Sequence, residues 1–235
     1  MTAAALRSVS KRFGDALALN AVDLELRVGE VLAVLGPNGA GKTTALSILL
    51  GLRRPDAGRA ELLGRDPRVP TVRERVGVTP QETGFPPTLR VREIVDLVRA
   101  HFPDPAPAEE LLRRFGLVDV ARRQAGGLSG GQRQRLSLAL AFVGRPHVVF
   151  LDEPTAGLDV EARRTFWQEV RAYADAGRTV LLTTHHLEEA EALASRVVLL
   201  SRGRVVADGS PADLTERARA HGLEEAFLAL TEPGR

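Results

Sequence analysis

The sequence contains no cysteine, which excludes disulfides and thiolate metal sites. Lysine is almost as scarce: it occurs only at Lys11 and Lys42 among 32 basic residues, so arginine carries the positive charge. Arginine resists deprotonation, which explains a pI of 9.6 beside a net charge of only +2. Short basic clusters such as Arg122-Arg123 and Arg133–Arg135 lie scattered among carboxylates, as on a solvated surface, and no nucleic-acid partner is expected from them. Long hydrophobic runs are missing too, for none approaches the ~18–20 residues needed to cross a bilayer. The apolar stretch within Met1–Arg12 is too short for a signal peptide, so the chain is expected to stay in the cytoplasm. What remains is ordinary for a globular protein. With 235 residues, 44% of them hydrophobic and 26% charged, the chain can bury a sizeable core as one large domain or two small ones.

The most informative stretch is Gly36-Pro37-Asn38-Gly39-Ala40-Gly41-Lys42-Thr43-Thr44, which fits the phosphate-loop pattern G-x-x-x-x-G-K-[ST]. Val31–Leu35 before it is an aliphatic run the size of a buried strand, and Thr44–Leu50 after it reads as a helix stopped by Gly51. A strand, loop and helix in this order aim successive backbone N–H groups at one anion. The glycines let the backbone approach phosphate oxygens without a Cβ in the way. Lys42 is suited to the β- and γ-phosphates and the Thr43 hydroxyl to Mg²⁺. The chain is therefore expected to bind a nucleoside triphosphate.

Around this loop the character of the chain changes twice. Residues 5–26 alternate apolar and polar, predicting antiparallel strands with one exposed face. Gly58–Leu63 and Arg75–Thr79 read as two more short strands. Thr88 to about Gly144 reads as helices (Val91–Ala100, Ala108–Phe115, Gly131–Val143) with Pro- and Gly-rich breaks, His101–Pro107 being the expected flexible connection. Beyond His147, strands at Val148–Leu151, Thr179–Thr183 and Arg196–Leu200 alternate with helices at Glu161–Ala176 and Leu187–Ala194, which implies right-handed crossovers and a parallel sheet. Two short helices, from Ser210-Pro211 and over Leu223–Leu230, close the chain. Phe166, Trp167, Val170 and Tyr173 fall at helical spacing and are expected in the core.

Two further stretches carry chemistry. Val148–Leu151 leads into Asp152-Glu153, and strand ends beside a phosphate loop are where an α/β sheet places its ligand groups. Asp152 suits Mg²⁺ and Glu153 suits a general base that polarises water. In Leu128-Ser129-Gly130-Gly131-Gln132, Ser129 is a good N-cap and the glycines leave the helix start bare, a second anion-binding terminus. Taken alone, that stretch would be an ordinary capped helix.

The phosphate loop, Leu128–Gln132 and Asp152-Glu153, in this order, resemble the nucleotide-binding subunit of an ABC transporter, and the resemblance runs from about Leu6 to Gly209. It implies an α/β fold: a P-loop NTPase (RecA-like) core with a mostly parallel sheet, an N-terminal antiparallel β-subdomain and an inserted α-helical subdomain. On that pattern residues 1–87 and 145–209 form the ATP-binding core, 88–144 the helical insertion and 210–235 a short helical tail. The resemblance also implies two ATP molecules, with Mg²⁺, sandwiched between head-to-tail copies. The second copy is either the same chain or a related subunit, and the phosphate loop of one faces Ser129, Gly130, Gly131 and Gln132 of the other. Gln81 matches the glutamine that contacts Mg²⁺ and water, Asp159 the loop crossing the dimer interface, and His185 the histidine sensing the γ-phosphate. Phe13 matches the aromatic that stacks on adenine, keeping the π-face where many relatives have Tyr. His101, His147, His186 and His221 fall outside the match and are expected to be structural or exposed.

Thr183–Glu191, Gly84–Pro87 and Val91–Glu93 resemble the bacterial branch that powers drug and antibiotic export through separate ABC-2 type membrane subunits. The resemblance implies a motor at the cytoplasmic face of the membrane, with Phe85–Arg92 and the helical insertion receiving the permease. The alternative is a soluble ABC ATPase acting on ribosomes or DNA. Relatives of that kind carry paired ATPase units, long coiled coils or cysteine zinc sites, and the chain has none of these features. A small-molecule kinase would leave Leu128–Gln132 without a purpose.

Overall fold

A computed structural model describes residues 1–81 and 84–231; the last four residues of the expected tail lie outside them. The chain runs β1 (Thr2–Phe13), β2 (Ala16–Arg27), β3 (Val31–Leu35), α1 (Lys42–Leu49), β4 (Ala57–Leu62), α2 (Pro70–Arg73) and β5 (Val76–Thr79). Three helices follow, α3 (Val91–Arg99), α4 (Ala108–Arg114) and α5 (Gly130–Ala141). Strands and helices then alternate through β6 (Val148–Asp152), α6 (Val160–Asp175), β7 (Thr179–Thr184), α7 (Leu187–Leu193) and β8 (Arg196–Ser201). The chain closes with β9 (Arg204–Gly209), α8 (Pro211–Ala218) and α9 (Leu223–Thr231).

The strands form two sheets. β2, β1 and β4 make an antiparallel sheet in that order, and the second sheet runs β5-β6-β7-β3-β8-β9, parallel except for β9. β3, β6 and β7 are buried along their whole length, as expected of central parallel strands covered on both faces. Their alternate residues divide the core in two. Ala33, Leu35, Val149, Leu151, Val180 and Leu182 face the layer built by α3 to α7. Leu32, Val34, Val148, Phe150 and Leu181 face α1 and the antiparallel sheet. The carboxyl ends of β3, β6 and β7 are thereby brought side by side, which is the edge where open α/β sheets bind ligands.

The α/β class and the sheet strands anticipated from the sequence are present, and the structure adds to them. β9 was not anticipated: it is a mostly exposed edge strand whose only buried side chain is Ala207. Its turn from β8 uses Arg202 and Gly203, both at positive φ (48° and 71°), the conformation of a two-residue hairpin loop. α1 begins at Lys42 rather than Thr44, because Gly41 in a left-handed conformation (φ 107°) serves as its N-cap without any side-chain cap. The expected flexible stretch His101–Pro107 is tied down, with Arg99 Nε donating to Ala106 O at 2.8 Å and Ala106 N to Val143 O at 2.8 Å. Phe166 and Val170 are buried as expected, while Trp167 and Tyr173 are half-buried against the same core. No helix among the described residues is long and apolar enough to cross a membrane.

Phe150, in the middle of β6, is fully buried. Phe150→Ala should cost about 3–5 kcal/mol of stability, read from urea unfolding followed by circular dichroism. A loss below about 1 kcal/mol would mean that this side of the core refills the cavity, contrary to close packing.

Candidate functional site

The phosphate loop is set by what its glycines allow. A Cβ on Gly36 would lie 2.2 Å from Leu200 O, and one on Gly41 would lie 2.5 Å from Ala18 O. Both positions therefore require glycine, and β8 and β2 close around the loop from either side. Lys42, the first residue of α1, is 7% exposed and folds back on the loop. Its Nζ donates to Gly36 O at 2.7 Å and Pro37 O at 3.3 Å. It also stands 3.6 Å from Glu153 Oε1. Phe13, Ala18, Asn38 through Thr44, Gln81 and Glu153 line one open cavity of about 340 Å³.

The end of β6 supplies the acids. Asp152 is buried, and the Thr183 hydroxyl donates to its Oδ1 from the neighbouring strand β7. Glu153 is 8% exposed and adopts φ 50°, a left-handed backbone that a non-glycine residue adopts only under strain. Its N–H donates to Thr183 O at 3.0 Å. His185, one residue beyond β7, places Nδ1 2.7 Å from Glu153 Oε2. His186 stacks 4.1 Å away, and burial, with help from His185 and Arg163, holds its pKa below the ordinary imidazole value.

Phe13 closes the cavity at the end of β1, 41% exposed. The Arg53 guanidinium lies 4.9 Å from its ring centroid, a cation–π distance, while Lys11 beside it is tied to Asp56 at 2.7 Å. Phe85, in the segment expected to receive the permease, is half-buried and packs against the main core.

The remaining expected residues lie elsewhere. Ser129 caps α5 in a reciprocal capping box: its Oγ accepts from Gln132 N at 3.2 Å, and Gln132 Oε1 accepts from Ser129 N at 3.0 Å. Ser129 and Gly130 are exposed, and a Cβ on Gly130 would meet nothing within 4 Å. Asp159 is the N-cap of α6, accepting from Ala162 N at 2.8 Å. Neither Ser129–Gln132 nor Asp159 lines the cavity of its own chain. Sequence reasoning missed Thr183, which holds Asp152, and Gln134, whose Nε2 donates to Pro154 O at 2.9 Å and ties α5 to the loop after Glu153. No local pattern announces either contact.

The description "ABC transporter" matches residues 19–156, more than half of the chain. The chain belongs to the ABC transporter family. It is an ATP-binding subunit of that family and an ATPase. It is 44% identical over 217 residues to Nod factor export ATP-binding protein I of Burkholderia orbicola, covering 89% of this chain and 71% of that one. It is also 44% identical over 220 residues to daunorubicin resistance ATP-binding protein DrrA3 of Streptomyces coeruleorubidus, covering 91% and 70%. Among solved ABC structures, an ATP-binding subunit of an ABC transporter superposes with a TM-score of 0.90 at 27% identity, over 98% of this chain and all of that one. A dimeric ATP-binding cassette in a post-hydrolysis state with ADP and Pi superposes with a TM-score of 0.80 at 27% identity, over 88% and 98%.

The Thr183 contact gives a direct test. Thr183→Val should destabilise the chain by about 1.5–3 kcal/mol, the range for a hydrogen bond to a charged group, and should lower ATP turnover. Wild-type stability and turnover together would show that Asp152 is fixed by something other than this hydroxyl.

Proposed function

We propose that this chain is the motor subunit of an ATP-driven exporter, with two copies closing on two ATP molecules and a separate membrane permease carrying the substrate. The observation that carries this reading is the pair Lys42 and Glu153 on the wall of the phosphate-loop cavity, with His185 behind it on Glu153. The names of the relatives, export of Nod factor and resistance to daunorubicin, support a substrate of drug, antibiotic or lipid-like kind as cargo. No observation favours the alternative of an ATPase acting on ribosomes or DNA.

In this reading residues 1–87 and 145–209 are the ATP-binding core, 88–144 the helical insertion and 210–235 a tail. Adenine stacks on Phe13, and the phosphates lie along the N–H groups of Gly36 to Thr44. Lys42 exchanges the carbonyls of Gly36 and Pro37 for phosphate oxygens, its side chain already being within reach. Thr43, Gln81 and Asp152 fit Mg²⁺: two of them line the cavity, and Asp152 is a buried carboxylate with one oxygen on Thr183. Among the described residues no three His, Asp or Glu gather at metal-ligand spacing. Magnesium characteristically needs only one or two carboxylates beside substrate phosphates and water. When bound, the ion neutralises charge on the phosphate oxygens.

Glu153 takes a proton from water as the water oxygen attacks the γ-phosphorus in line, and the β–γ bridging oxygen leaves with ADP. His185 orients Glu153 and meets the γ-phosphate once ATP is present. Ser129, Gly130, Gly131 and Gln132 stand outside their own chain's cavity, which supports their serving the γ-phosphate of the other copy, with Asp159 at the interface between copies. The permease docks on Phe85–Arg92 and the helical insertion, which holds the motor at the cytoplasmic face of the membrane.

Removing a general base slows a reaction by ~10²–10⁴-fold. Glu153→Gln should therefore bind MgATP with near-normal affinity, hydrolyse it at that fraction of the normal rate, and sediment as a dimer when saturated. Steady-state hydrolysis at the wild-type rate would remove the base assignment. A monomer under those conditions, alone and with the permease, would remove the sandwich.

A further inference from the structure

Glu189 is an acid that the mechanism above leaves unused. It lies in the first turn of α7 and is 0% exposed. The hydroxyls of Thr184 and Thr155 face its carboxyl. Neither of its oxygens completes a hydrogen bond of ordinary geometry, and neither does Thr155 Oγ1. Burying a carboxylate with no matching cation is expensive, and the usual escape is to keep the proton.

Its neighbours make the position more than a core curiosity. Thr184 is the last residue of β7 and immediately precedes His185. Thr155 follows Glu153 and Pro154, in the loop that Gln134 also grips. Glu189 therefore sits under both segments that carry the catalytic pair, where Glu153 is held at a strained φ of 50°. The ionisable groups facing it are Glu153 from the loop after β6 and Arg163 from α6. β3 and β7, which also pack on α7, carry no ionisable side chain, and Glu224 and Glu225 of α9 are exposed.

We propose that Glu189 is a positioning residue: as the neutral acid it bridges Thr155 and Thr184, fixing the Glu153 and His185 loops relative to each other. This deepens the ATPase reading and rests on Glu153 being the base. Burial, reinforced by the Glu153 charge, raises the Glu189 pKa to about 7. A carboxyl whose folded pKa lies above its unfolded value of 4.5 contributes stability that is full below 4.5, declines as pH rises, and is gone once pH has passed about 7. Ionisation also sets a second negative charge beside Glu153, so turnover falls on the alkaline side.

The test compares wild-type protein with Glu189→Gln and Glu189→Leu for ATP turnover and KM from about pH 6 to about pH 9, and for thermal midpoint from about pH 4.5 to about pH 9. Glutamine keeps the neutral shape and a donor, so Glu189→Gln should stay within about twofold of the wild-type kcat at neutral pH, lose the alkaline decline in kcat, and lose the fall in midpoint that the wild type shows between about pH 4.5 and about pH 7. Leucine removes the bridge, and kcat should fall by about 10- to 100-fold with KM for ATP little changed, the scale expected for a misplaced catalytic group. A Glu189→Gln profile that keeps the wild-type alkaline decline overturns the proposal, as does a Glu189→Gln kcat as low as that of Glu189→Leu. If Glu189→Leu does not fold, the glutamine profile alone decides. Failure of the base assignment is read separately, from Glu153→Gln turning over normally.

Discussion

A lysine and a glutamate stand 3.6 Å apart in a cleft where each is less than a tenth exposed. The rest of the structure serves that juxtaposition. Lys42 is there because α1 begins directly after a left-handed glycine, and Glu153 because β6 ends in the neighbouring layer with its backbone forced to φ 50°. A phosphate chain that brings its own countercharge is the guest best suited to separate the two. In a region shielded from water each charge acts more strongly than it would at the surface.

Much of this arrangement is legible in the chain because it is local. Val31–Leu35 and Val148–Leu151 are continuous apolar runs, and such runs beside a phosphate loop leave little choice but central parallel strands. Ser129 caps α5 as its residue type suggests. Asn38 to Thr44 line one cavity because a tight loop keeps neighbours in sequence together in space. What escaped is mostly long-range. Thr183 reaches Asp152 across 31 residues, and Gln134 reaches Pro154 across 20. β9 escaped for a different reason: an edge strand with one buried side chain has almost no apolar periodicity to display.

The layers are connected where the chemistry needs connection. α5 begins at the exposed glycines and is hooked through Gln134 to the loop that carries Glu153. α6 begins at Asp159 on the far side of that same loop. One hydrogen bond thus joins the helix that starts at the exposed glycines to the loop that carries the acid at the end of β6.

The order in which the sheet is assembled has one more consequence. β3 is flanked by β7 and β8, and the bend at Gly36 closes against the carbonyl of Leu200. A ribosome emits β3 long before either flanking strand, so the emerging first half holds an aliphatic strand with no edge to join. Nucleotide binding is thus a property acquired only after β7 and β8 have emerged. Until then Val31–Leu35 is a sticky segment that chaperones, or a neighbouring nascent chain, can reach first.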